Sequence, residues 1–217
     1  EVGRVSELRD ELDVKLFLPD RQAVTVAQDK HLFYECLTAA GLPMAESRAL
    51  ESFDDIAPAM ESLGGEKFWV RPRTGSGSRG ATWVQNPQQA QWWIRLWVEQ
   101  RGYDVSQFTI SEFLPGRDYA AACQFREGKL QLIKMCERLE YFFGANKLSG
   151  MSSIPAIAQT LRDEQAMESI LAATAALPGE PHGNFCFDMK GRADGAMCIT
   201  ECTIGRFFMI TPMFDRT

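Results

Sequence analysis

Histidine is scarce, cysteine pairs are absent, and no long apolar run occurs in this 217-residue chain. Each absence excludes something. His31 and His182 are too few for a histidine-built metal centre, and no Ser-His-Asp or Cys-His arrangement stands out. The cysteines at 36, 123, 136, 186, 198 and 202 never fall in CxxC spacing and sit within apolar runs. That pattern reads as buried reduced thiols in a cytoplasmic setting, not as a disulfide framework or a zinc site. No stretch approaches the ~18 apolar residues that span a bilayer. Basic residues are outnumbered, 23 Lys and Arg against 29 Asp and Glu, a net charge of −6. This argues against duplex nucleic acid or an anionic membrane as partner. There is no signal-peptide pattern, repeat or low-complexity tract. The chain opens on Glu1, so the expectation is a piece of a longer protein.

What remains is an ordinary globular balance, 45% hydrophobic and 24% charged. At ~150 residues per domain the length suggests about one and a half domains. Asp29 is placed to cap a helix running to about Ala40, with Gly41 and Pro43 past its end. Ser52 with Asp55 starts a short helix ending at Gly64, and Asn86-Pro87 opens another carrying Trp93, Ile94 and Trp97. Thr160 with Asp163 is read as the start of a further helix. Strands are read at about 67–71, 81–85, 108–114, 118–125, 130–136, 184–190 and 197–204, although Phe185, Phe187, Ile199 and Cys202 do not alternate cleanly and leave the facing of the last two open. Strands grouped in this way, without βαβ spacing, point to an α+β fold with antiparallel sheets. All five tryptophans fall between 69 and 97 and are expected to form the aromatic core of a small subdomain.

Two segments carry chemistry. Gly75-Ser76-Gly77-Ser78-Arg79-Gly80 matches GxGxxG, but a strand rather than a helix follows it, and Ala81 stands where a Walker lysine would be. It reads as a hairpin tip whose amides can approach phosphate, flanked by Arg71, Arg73 and Arg79; the alternative is a solvated loop. The second segment is the hairpin around Asp194-Gly195. A two-residue turn there sets Asp188 opposite Glu201 and Cys186 opposite Thr203. Facing carboxylates repel, and either a divalent cation or solvent must relieve them.

A phosphate loop on one hairpin and a carboxylate pair on a later one resemble the ATP-grasp superfamily, in particular the ATP-grasp domain of carbamoyl-phosphate-synthetase-like ligases. The likeness runs through Asp29-Lys30, Trp69–Pro72 with Gly75–Gly80, Ile110–Asp118, Glu137-Arg138 with Ser149-Gly150, and Gly183-Asn184 onward through Asp188, Glu201 and Arg206-Phe207. It implies a lid subdomain at 66–115 following a helical entry part at 23–65, and a metal-bearing subdomain at 116–217. It also implies that residues 1–22 connect to a preceding α/β domain absent from this sequence.

By the same resemblance, Lys30 and Arg71 touch nucleotide phosphates and Gly75, Ser76, Gly77, Ser78 and Gly80 cover them. Glu112, Phe113 and Leu114 form the adenine hinge, with the Glu112 carboxylate able to take the exocyclic amine, and Asp118 sits at the ribose position. Asp188 and Glu201 hold Mg²⁺, with Mn²⁺ as a substitute. Thr203 stands where the family has Asn. Arg138 and Arg206 face the acceptor carboxylate or the transferred phosphoryl group. The implied activity is ATP-dependent joining of a small carboxylate to an amine through an acyl phosphate. A non-catalytic nucleotide-binding module and a kinase-like phosphotransferase are the alternatives, although no HRD or DFG motif is present. Oligomeric state, including a homo-oligomer, is left open.

Overall fold

The computed structural model describes residues 1–142 and 149–206. Two antiparallel sheets face one another. The smaller has the order β1 (Ser47–Ala49), β4 (Phe108–Glu112), β2 (Phe68–Pro72), β3 (Thr82–Val84). The larger has the order β7 (Pro155–Leu161), β6 (Lys129–Tyr141), β5 (Asp118–Arg126), β8 (Gly183–Gly191), β9 (Met197–Ile204). Helices cover the outer face of each sheet. Those of the large sheet are α2 (Arg21–Gln28), α3 (Lys30–Ala39) and α6 (Glu164–Ala176); those of the small sheet are α4 (Ile56–Leu63) and α5 (Pro87–Arg101). A short α1 (Val2–Glu7) precedes them.

Strand parity decides which residues are core and which are left for function. In β2, Phe68 and Val70 are buried against Ile56, Met60 and Ile94, so Trp69 and Arg71 face the other sheet. In β8, Phe185, Phe187 and Met189 are buried beneath Phe33, Leu37 and Ile170, so Asp188 and Lys190 point the opposite way. Two separate apolar cores thus leave two inner faces looking into one cleft.

The expected helix starts hold at Asp29, whose carboxylate accepts from His31 and Leu32 N–H, and at the Ser52–Asp55 capping box. The helix near 160 is corrected: Asp163 caps it, accepting from Ala166 N–H, while Thr160 lies in β7 and pairs with Cys136. The three-residue β1 carried no readable alternation. The tryptophans divide: Trp93 and Trp97 pack on the small core, Trp69 lines the cleft, and Trp83 and Trp92 are exposed.

The β8–β9 turn also differs from expectation. Arg192 N–H donates to Ala196 O (2.8 Å) and Gly195 N–H to Arg192 O (3.1 Å), which closes a three-residue loop with Gly195 at φ +89°. That extra residue moves every neighbouring pair by one, as in Met189 opposite Ile199. Thr200 then bulges out of β9 and restores the register, so Asp188 faces Glu201 after all.

Candidate functional site

The cleft between the sheets encloses a cavity of about 330 Å³, within the ordinary range for small-molecule sites. Its floor is the inner face of the large sheet. Arg138 on β6, Asp118 and Ala120 on β5, Asp188 and Lys190 on β8 and Glu201 on β9 lie side by side there. Ala120 sits in register between Cys136 and Asp188. Its methyl group leaves room for Arg138 to cross β5, where Nη1 reaches Asp188 Oδ1 (2.8 Å) and Nη2 reaches Asp118 Oδ1 (2.6 Å). The roof is supplied by Trp69 and Arg71 of β2, Ser111 of β4 and the 75–79 loop.

Lys30 and Arg71, the residues expected at the phosphates, both approach Glu201. Lys30, the first residue of α3, donates from Nζ to Gly75 O (2.8 Å) and stands 3.5 Å from Glu201 Oε2. Arg71 donates to Thr200 O (2.9 Å), the carbonyl in the bulge, and its Nη1 lies 3.7 Å from the same Glu201 oxygen. The bulge therefore does two things: it aligns the carboxylates and it presents an acceptor to Arg71. Arg71 Nε is buried with no hydrogen-bond partner among the described residues.

The two carboxylates behave differently. Burial pushes Asp188 up to about 7, helped by the adjacent Glu201 charge and opposed by Arg138. Burial also acts on Glu201, but Lys30 and Arg71 outweigh it and hold Glu201 below its ordinary value. Burial lowers Lys30 and Arg71, against the pull of Glu201. Although Arg138 lies close, Asp188 Oδ1 accepts no well-formed hydrogen bond. A buried oxygen with an unspent lone pair beside a second carboxylate suits a hard divalent cation. Among the described residues no group of three or more His, Cys, Asp and Glu side chains is arranged to hold a metal ion.

Other expected residues are placed differently. Asp118 lines the cavity, but Arg138, Tyr141 OH (2.7 Å) and Lys190 (3.2 Å) surround its carboxylate. Glu112 also lines it, with its carboxylate engaged by Arg192 and by Glu46 N–H. Phe113, Leu114, Gly75, Ser76, Gly77 and Ser78 line the cavity. Gly80 does not: at φ +72° it abuts Pro72, where a Cβ would stand 2.7 Å from Cγ, and its carbonyl accepts from Trp93 Nε1. Arg73, expected to flank the loop with Arg71 and Arg79, is instead paired with Asp29 (2.8 Å) and does not line the cavity.

Thr203 shares the face of Glu201 two pairs further along, beyond the cavity lining, and the exposed Arg206 is also outside that lining. Phe207 lies outside the described residues. Sequence reasoning missed Tyr141, Lys190 and Ser152–Ser153, all in the lining. Lys190 was within reach of parity, two residues from Asp188 on one strand.

Paired antiparallel sheets gripping a cleft in this way define the ATP-grasp fold, and the chain has it. Among solved structures, N5-carboxyaminoimidazole synthase from Aspergillus clavatus, in complex with ADP and 5-aminoimidazole ribonucleotide, matches with TM-score 0.72 and 17% identity over 96% of this chain and 52% of that one. The biotin carboxylase domain of Hydrogenobacter thermophilus 2-oxoglutarate carboxylase, with MgADP, ADP and bicarbonate, matches with TM-score 0.78 and 12% identity over 97% and 46%. VanG D-Ala:D-Ser ligase from Enterococcus faecalis matches with TM-score 0.72 and 17% identity over 94% and 60%. The chain thus spans about half the length of the structures it matches. No protein-family model matches it, and no curated protein matches it in sequence. Among the described residues no helix is long and apolar enough to cross a membrane.

Proposed function

We propose that the chain is the nucleotide-binding and catalytic part of an ATP-dependent ligase that joins a small carboxylate to an amine or related nucleophile. The observation that carries this reading is the convergence of Lys30 and Arg71 on Glu201, with Asp188 opposite it, in one cleft between two sheets. ATP is the nucleotide, and the structural neighbours solved with ADP and MgADP support that choice. The burial of five of the six cysteines supports a cytoplasmic setting.

The chemistry needs charge neutralisation and dryness more than proton transfer. A carboxylate oxygen attacks the γ-phosphorus, the bond to the ADP oxygen breaks, and an acyl phosphate results. The amine nitrogen then attacks the acyl carbon, the bond to phosphate breaks, and the nitrogen gives its proton to solvent. Lys30 and Arg71 orient the phosphates. The 75–78 loop closes over them and excludes water, which would otherwise hydrolyse the acyl phosphate. Arg138 holds the acceptor carboxylate or the transferred phosphoryl group by its planar fork. Asp188 and Glu201 would hold Mg²⁺ or Mn²⁺, which supplies charge neutralisation at phosphate oxygens.

The full-length protein, incubated with Mg-ATP, a panel of carboxylates and hydroxylamine, is expected to release ADP and form a hydroxamate with one acid. The position of Thr203 outside the cavity favours a second reading, a module that binds nucleotide without turning it over. Tight Mg-ATP binding with no ADP release across the panel selects that second reading. Phosphoryl transfer to a hydroxyl without hydroxamate selects a kinase-like enzyme.

A further inference from the structure

Both passages of the chain between the sheets are fastened by one side chain. The first, at Met44–Glu46, enters β1; the second, at Glu112–Arg117, leaves β4 for β5. Arg192, beside the β8–β9 turn, reaches both. Its Nη2 donates to Met44 O (2.9 Å) and to Glu112 Oε1 (2.5 Å), and Nε donates to the same carboxylate (3.1 Å). Glu112 Oε1 also accepts from Glu46 N–H (3.0 Å), and Glu112 N–H returns a bond to Glu46 O (2.9 Å). A few residues on, Gly116 N–H donates to Gly191 O (2.8 Å), and a Cβ on Gly116 would lie 2.7 Å from that oxygen. Phe113 and Leu114 lie between these fastenings, past the last β4 ladder pair at Glu112, and line the cleft.

We propose that Arg192 is a positioning residue for the 113–114 backbone, where the resemblance puts the nucleobase, and that Glu112 is its anchor and not a ligand of the base. This rests on the nucleotide reading above. The Glu112 carboxylate is held by a guanidinium fork and a backbone amide, chiefly through Oε1, so Arg192 and Glu46 fix its place and it acts first as their anchor. Holding the hinge in the folded state spares the ordering cost at the moment of binding. The salt link spans 80 residues of sequence and joins the hinge to the strands bearing Asp188 and Glu201. It therefore sets the base end of the cleft relative to the phosphate end.

The test uses the full-length protein with Mg²⁺ and calorimetric titration of two probes: a non-hydrolysable ATP analogue and inorganic tripolyphosphate, which has no base. Arg192→Gln and Glu112→Gln should each weaken the analogue about tenfold. The double variant should be no worse than either single one. Tripolyphosphate binding should stay unchanged. Arg192→Lys, which keeps the charge without the fork, should recover part of the loss. If Glu112→Gln weakens the analogue while Arg192→Gln does not, Glu112 touches the base directly and the proposal fails. A parallel loss of tripolyphosphate affinity also overturns it, since that marks general damage. A wild type that binds neither probe refutes the nucleotide reading itself; a wild type that binds both, with variants unchanged, refutes only the positioning role.

Discussion

Replacing Arg138 with methionine removes the cation that bridges Asp118 and Asp188 while keeping much of its stem. The three side chains are only 11%, 14% and 19% exposed, so solvent screens the pair weakly. Removing one partner of such a pair costs about 3–5 kcal/mol, chiefly because a buried charge is left behind. Two features of the site reduce this. Asp118 keeps Tyr141 OH and Lys190. Asp188 escapes by taking up a proton, since its pKa already stands at about 7. The expected loss is therefore at the lower end, about 3 kcal/mol. For a chain of this size each ~1 kcal/mol moves the melting midpoint by roughly 2–4 °C, which gives a drop of about 6–12 °C. Thermal and urea unfolding at pH 7.5 should be run on Arg138→Met, Asp188→Asn and the double variant. Because the amide cannot carry the stranded charge, the double variant should regain about 1–2 kcal/mol relative to the sum of the singles. A midpoint within about 2 °C of wild type for Arg138→Met, or strict additivity in the double variant, would refute the bridging role.

The remaining expectations concern the same cleft. Asp188→Asn and Glu201→Gln should each abolish Mg-dependent ATP turnover with circular dichroism unchanged; full activity in both variants removes the metal assignment. The free protein should lose stability as pH rises from about 4 to about 7, because folded Asp188 holds a proton that the unfolded chain has already released. Asp188→Asn should flatten that slope in urea titrations, and an unchanged slope contradicts the shift. Gly80→Ala should cost about 1–3 kcal/mol, since the new Cβ meets Pro72 at a backbone angle disfavoured for alanine; a neutral result shows that the 75–80 loop yields easily.

How much of this was legible in the sequence depended on the range of the signal. Local devices read well. Asp29, the Ser52–Asp55 box and Asn86 cap their helices where expected because capping involves only a few consecutive residues. The strand expected at 67–71 is present as β2, Phe68–Pro72. Long-range ties read poorly. Nothing near Glu112 signals that Arg192, 80 residues away, occupies its carboxylate, and nothing near Arg73 signals Asp29. β1 has only three residues and depends on β4 for its identity. The Asp188–Glu201 pairing is instructive: the expected turn was one residue too short, and the unforeseen Thr200 bulge cancelled the error.

That cancellation has a practical consequence for engineering. Residues 193–196 are exposed, and the bulge lies between this tip and the carboxylates. An exposed hairpin tip is a natural place for inserted sequence. A reporter peptide or fluorophore linker spliced between Ala193 and Gly195 would lengthen the loop outward, while Thr200 keeps the inner strand pairs in phase. Deleting Thr200 has the opposite character. It would remove the bulge and leave Glu201 opposite Asp188 in a regular ladder, but it would take away the carbonyl that Arg71 holds and the hydroxyl that donates to Asp188 O. The hairpin therefore has a permissive end and an intolerant middle, only a few residues apart.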